Sequence, residues 1–173
     1  MLKKSHLILL AFTFLLSKNI FAMELKSKAF KNNEYIPKKY SCLGEDISPE
    51  LEWKDAPQNT VTFVLICDDP DAPVGVWDHW VIYNIPANKN KLEEGIPKIG
   101  KLSDGSLQGK NSWGKIGYGG PCPPPGPPHR YIFKLYALDT TLQLKPGATK
   151  TEILDAIKGH ILATAQLTGL FKR

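Results

Sequence analysis

The sequence predicts a mainly antiparallel β protein with one short helix near its C-terminus. Three observations carry that expectation. The runs 61–67, 77–85 and 131–138 are rich in β-branched and aromatic residues, and proline or glycine punctuates their flanks. Only the stretch from Thr149 bears a convincing helix start, a capping box with Glu152 three residues on. And the runs do not alternate with helical segments, as the crossovers of a parallel sheet would require.

Taken in order, residues 24–42 read as a polar segment with short strand-like pieces, and Gly44-Glu45-Asp46 as a turn. The piece 48–53 is extended with Leu51 and Trp53 on one side, and Asp55-Ala56-Pro57 closes it. VTFVLIC at 61–67 is apolar at both parities, the pattern of a strand covered on both faces. It runs into DDPDAP at 68–73, where Pro70 and Pro73 stop it. After a turn at Gly75 comes 77–85, ended by Pro86. Residues 87–117 are a long loop region, and such length without periodicity marks a functional surface.

The segment GYGGPCPPPGPPHRY, 117–131, holds six of the fourteen prolines and four glycines. Proline fixes φ and lacks an N–H, so the segment can be neither a helix nor a central strand. It is expected as a stiff loop that delivers His129 and Arg130 to the mouth of the strand 131–138. There Tyr131, Phe133, Leu135 and Ala137 share one side. The helix, about 150–158, carries one apolar stripe of Ile153, Leu154 and Ile157, and Gly159 ends it. The last strand, 160–170, should turn Ile161, Ala163, Ala165 and Leu167 to the core.

Length sets one domain, 23–173, with a proper core. Residues 1–22 stand apart: Lys3 and Lys4 precede an apolar block of about ten residues and a more polar exit, the layout of a secretory signal peptide. That block is too short to span a bilayer comfortably. Without Lys3, Lys4 and Lys18, Lys plus Arg falls from 22 to 19 against 17 acidic residues, a net +2 rather than +5. The basic character thus belongs largely to the leader. No basic stripe remains, and nucleic acid is not an expected partner. Export to a periplasmic or extracellular space favours pairing of cysteines. Cys67 lies inside an apolar run and reads as a small core residue. Cys42 and Cys122 lie in turn-rich segments and are the expected disulfide.

Polar chemistry gathers at two strand ends. One offers Asp69, Asp71 and His79; the other offers Tyr118 before the Pro/Gly loop and His129 after it. A carboxylate beside an imidazole orients it and favours its protonation. Two imidazoles so held, near loop N–H groups, make a pocket for a phosphate or carboxylate.

DPDAP, a His-Trp pair opening a strand, and GYGGPCPPPGPPHRY together resemble the phosphatidylethanolamine-binding protein family, the Raf kinase inhibitor-like proteins. KYSCLGEDISPELEW, DHWVIYNIP and GATKTEILDAIKGHILATAQLTG are similar to its bacterial and archaeal branch. The resemblance covers residues 28–171 and implies a large antiparallel sheet packed on a smaller one, with an anion pocket at one end. It places Asp69, Asp71 and His79 on one wall, and Tyr118, Gly120, Pro121, Cys122, Pro124 and His129 on the other, with Tyr131 behind. The chain departs in a proline-richer loop and in ending soon after its last strand, without the C-terminal helix that closes the pocket of animal members.

The expected function is capture of a small anionic ligand or phospholipid headgroup by an exported, non-enzymatic protein that needs no cofactor. Peripheral membrane contact is compatible with it, and no protein partner is indicated. Two rival classes remain. A hydrolase-type enzyme would use the Asp/His set, with Cys122 as nucleophile or with a metal on His79, His129 and Asp69. An inhibitor or interaction protein would act through the proline loop.

Overall fold

The computed structural model describes residues 22–173, so all but the last residue of the expected leader lies outside the described residues. Nine strands and one α-helix follow in order: β1 (Glu24–Lys26), β2 (Glu34–Tyr35), β3 (Leu51–Lys54), β4 (Thr62–Asp69), β5 (Trp77–Pro86), β6 (Lys91–Leu92), β7 (Leu107–Gln108), β8 (His129–Leu138), α1 (Lys150–Ala156) and β9 (Ile161–Phe171). A single 3-10 turn spans Lys38–Tyr40. The small sheet has the order β1-β3-β6 and the large one β2-β9-β8-β4-β5-β7. Every pairing is antiparallel except the two-residue contact of β2 with β9. The chain is therefore mainly β, a large sheet on a smaller one with one short helix.

The apolar run around Val61 explains the layering. All eight residues of β4 are buried. Phe63, Leu65 and Cys67 join Leu25, Leu51, Trp53 and Phe133 in the core between the sheets. Val64 and Ile66 project the other way and pack with Val81, Leu138, Ile153 and Ile157 beneath α1. Because side chains alternate across a strand, a central strand covered by a sheet and by a helix must be apolar at both parities. At its C-terminal end the same alternation sends Asp68 to the helix side and Asp69 to the sheet side.

The expected cap closes α1: the Thr149 hydroxyl accepts from the Glu152 N–H, and the Glu152 carboxylate accepts from the Thr149 N–H. Gly159, at φ +80, follows two residues after the helix's last cap. The final strand differs from expectation at its start. Leu167 is buried and Ala163 and Ala165 are partly covered, but Ile161 is 44% exposed, because the register shift sets it opposite Leu138 and so on the helix side of the sheet. Residues 87–117 hold two short strands, β6 and β7, which tie the loop to both sheets. Among the described residues, no helix is long and apolar enough to cross a membrane.

Candidate functional site

The two expected strand ends meet. β4 and β8 are antiparallel neighbours, with Asp68 opposite Ile132, so the end of β4 lies beside the start of β8. β5 flanks β4 on the other side and brings His79 to the same end. A cavity of about 190 Å³ opens there, lined by Asp69, His79, Cys122, Pro124, His129 and Tyr131 together with Pro73, Trp77, Trp113 and Pro123.

Both imidazoles are held by Nδ1. His129 donates from Nδ1 to Asp69 Oδ2 at 2.8 Å, and Asp69 Oδ1 accepts the Asp71 N–H at 2.8 Å. His79 donates from Nδ1 to the Gly119 carbonyl at 2.7 Å. A carbonyl can only accept, so the proton sits on Nδ1 and Nε2 is left with its lone pair. Only one histidine therefore has the carboxylate partner expected for both; backbone supplied by the glycine-rich loop orients the other. Burial pushes the His79 pKa down, against the opposing pull of the Gly119 carbonyl and of Asp69 and Asp78. His79 is thus a neutral imidazole at neutral pH.

Aromatic edges fix the His79 ring. Its centroid lies 5.0 Å from both Trp113 and Tyr131, each at a near-perpendicular angle. Trp77 stacks edge-on against Trp113 at 5.4 Å. The Trp113 ring covers Gly119 so closely that a Cβ there would lie 2.7 Å from it, so only glycine fits beneath. Of the buried polar atoms of the cavity residues, Trp77 Nε1 has no hydrogen-bond partner, and the Tyr131 hydroxyl lies close to the Asp69 carboxylate and the Cys122 N–H without a bond of ordinary geometry. Burial, then the charge of Asp69, push the Tyr131 pKa up, so it is a neutral donor.

Other expected residues stand outside this cavity. Asp71 faces outward and is clamped by Arg130, accepting from Nε at 2.9 Å, from Nη2 at 2.7 Å and from the Arg130 N–H at 2.9 Å. That guanidinium lowers the Asp71 pKa to about 2. Tyr118 is 2% exposed and donates to the Tyr40 carbonyl. It lines a neighbouring cavity of about 320 Å³, as does Gly120, whose N–H donates to Asp46 Oδ1. Pro121 is buried and its carbonyl accepts the Cys42 N–H. Of the 119–124 segment, only Cys122, Pro123 and Pro124 reach the histidine cavity.

Cys42 and Cys122 form the expected disulfide, closing a loop of 80 residues, and Cys67 is a buried free cysteine. Burial pushes the Cys67 thiol well up, which suits an inert core residue. Among the described residues, no group of three or more His, Cys, Asp and Glu could hold a metal.

Sequence reasoning missed Trp77, Trp113 and Asp46 as parts of this end of the molecule. Trp113 lay within the loop region already marked as a functional surface. Its place over Gly119 rests on hydrogen bonds from the Trp113 and Lys115 N–H groups to the buried Asn111, a device with no short-range sequence signature.

A two-sheet scaffold with a small histidine pocket at one sheet end defines the class. A family model described as phosphatidylethanolamine-binding protein matches residues 26–172. The UPF0098 protein of Methanothermobacter thermautotrophicus is 54% identical over 151 residues, 87% of this chain and 99% of that one. That of Aquifex aeolicus is 51% identical, covering 87% and 89%. Among solved structures, a phosphatidylethanolamine-binding protein homologue from Chlamydia trachomatis superimposes with a TM-score of 0.81 at 44% identity, covering 88% of this chain and 98% of that one. Escherichia coli YbcL, described as a member of the mammalian family, gives 0.82 at 31% identity, covering 88% and 99%. The chain belongs to the phosphatidylethanolamine-binding protein family.

Proposed function

We propose that this is an exported binding protein that captures a small phosphate-bearing group in the Asp69–His79–His129–Tyr131 cavity. The observation that carries the reading is the set of polar atoms without partners. Both histidine Nδ1 atoms are engaged, while Trp77 Nε1 is buried and unpaired and Tyr131 Oη, beside Asp69 and the Cys122 N–H, has no bond of ordinary geometry. An unpaired buried donor costs about 1–3 kcal/mol, and a ligand oxygen that accepts from it recovers that cost. The cavity, about 190 Å³, suits a headgroup-sized anion and leaves any acyl chain outside. The family name points to the same chemistry, a phosphoryl headgroup.

Neither rival gains an observation of its own. The sulfur of Cys122 is committed to Cys42, and Arg130, the nearby cation, is committed to Asp71. Export agrees with the disulfide and with the zoning of residues 1–22.

Because neutral His79 presents a lone pair at Nε2, it meets a phosphate either through a P–OH proton or by gaining a proton itself. Binding is therefore linked to proton uptake. Affinity thus rises as pH falls, and the gain from protonating His79 is complete only below its burial-lowered value. Titration calorimetry with inorganic phosphate and with phosphoethanolamine, at neutral and acidic pH, tests this. His79→Ala should weaken binding roughly ten- to a hundredfold, the loss of one charge-assisted hydrogen bond. Equal affinity in wild type and variant, or no gain on acidification, would remove the anion reading.

A further inference from the structure

The histidine cavity has room for a phosphoryl headgroup and little beyond. At about 190 Å³ it falls below the roughly 300–1,000 Å³ of small-molecule sites, so the group that carries the phosphate must lie outside it. Two ways lead out. Past Val74, 78% exposed, the group would enter solvent. On the other side stands a second cavity of about 320 Å³, and Trp113 and Cys122 line both.

This neighbour differs in chemistry. Trp113, Ile116, Tyr118 and the Cys42–Cys122 disulfide give it apolar, polarisable sides. Its polar groups are already engaged. Gly119 donates its N–H to the His79 carbonyl, and the Asn111 amide donates to the Gly117 carbonyl while accepting from the Trp113 and Lys115 N–H groups. Asp46 takes the Gly120 N–H on one oxygen and Lys98 on the other, at 2.7 Å. Lys115 is the exception. It is exposed at the same cavity and, among the described residues, its ammonium has no carboxylate partner.

We propose that the second cavity is the subsite for the organic part of the captured phosphate ester, and that this part is a flat apolar ring bearing a carboxylate. The inference rests on the phosphate reading of the histidine cavity. The phosphoryl group occupies that cavity, the ester link crosses beside Trp113, the ring lies against Trp113 and the disulfide, and the carboxylate meets Lys115. Aromatic and sulfur-bearing walls favour a ring. Walls whose polar groups are engaged disfavour a sugar, because its hydroxyls would be buried there without partners.

Calorimetry with inorganic phosphate, phenyl phosphate and para-carboxyphenyl phosphate separates the parts. Burying the ring should tighten binding about tenfold over inorganic phosphate. The carboxylate should add roughly two- to fivefold, the worth of an ion pair at an exposed lysine. Lys115→Gln should cancel the carboxylate gain and nothing else, whereas His79→Ala should weaken all three probes. In amide spectra of the complexes, the ring should shift Ile116 and Tyr118 and leave Val74 unmoved. Phosphate binding with no gain from ring or carboxylate overturns the subsite alone. Shifts at Val74 do the same, since they put the ring at the open mouth. A Lys115→Gln variant that weakens inorganic phosphate as much as para-carboxyphenyl phosphate overturns the division into two subsites. If inorganic phosphate does not bind at all, the histidine reading falls, and this inference with it.

Discussion

Asp68 and Asp69 are neighbours on β4, each 3% exposed, and they end in opposite kinds of surroundings. On the helix side Asp68 receives Lys134 at 3.2 Å and Lys150 at 3.1 Å, and Lys150 also reaches Asp78 at 2.5 Å. Two carboxylates meet two ammonium groups, and the cluster ties β4, β5 and β8 to the start of α1. On the sheet side Asp69 has one imidazole and one backbone N–H, and around it stand a hydroxyl with no bond of ordinary geometry and an indole N–H with no partner. Equal burial of the same residue type therefore says nothing of its use. What separates the two sides is the balance of donors and acceptors: the first cluster is closed, and the second leaves donors over, as the proposed binding site requires.

The incomplete side is held from outside, by the covalent link between Cys42 and Cys122. The chain-entropy model gives a loop of 80 residues about 4 kcal/mol. Replacing both cysteines by serine should lower urea stability by roughly that amount. Because Cys122 lines the histidine cavity, phosphate affinity should fall as well. A loss below about 1 kcal/mol would mean that the unlinked chain already holds the loop in place, and the contrast between the two sides would lose its covalent half. On the closed side, Lys150→Met leaves Asp68 with Lys134 alone and Asp78 with none. The expected cost is about 2 kcal/mol, less than for a fully enclosed pair because Lys134 remains. Phosphate affinity should not change. A variant as defective in binding as His79→Ala would show that the two faces of β4 act as one site.

This contrast was only partly legible in the sequence. The strands were, because a run apolar at both parities leaves few alternatives to a covered strand, and the capping box at Thr149 fixed the helix. The convergence of Asp69, His79 and His129 was legible too, since each lies where a strand meets a proline turn. The sequence did not separate Tyr118 from Tyr131, although both flank the same loop. Tyr131 lies on β8, whose alternation turns it to the pocket, whereas Tyr118 is turned away by a bond to the Tyr40 carbonyl, 78 residues distant. Nor could it distinguish Asp68 from Asp71 as partners for lysine and arginine, because Arg130 and Lys134 arrive with β8 beside β4 and Lys150 only when α1 folds back over the sheet. Contacts set by alternation can be read locally; contacts set by chain return cannot.

Tyr131→Phe probes the difference at the scale of one atom. In the free protein the Tyr131 hydroxyl is buried beside Asp69 and the Cys122 N–H without a bond of ordinary geometry, so its desolvation cost is poorly compensated. Replacing a buried unsatisfied group by an apolar one of the same shape is neutral or stabilising. The ring stays, and with it the edge contact to His79. Urea unfolding should therefore show the phenylalanine variant as stable as wild type or more so, by up to about 1 kcal/mol. Phosphate binding should weaken, because the same hydroxyl is the donor a bound oxygen would use. A group that costs stability and serves binding is the signature of a site. If instead Tyr131→Phe lowers stability by about 1 kcal/mol and leaves affinity untouched, the hydroxyl has a hidden structural partner. The pocket side of β4 would then be as closed as the helix side.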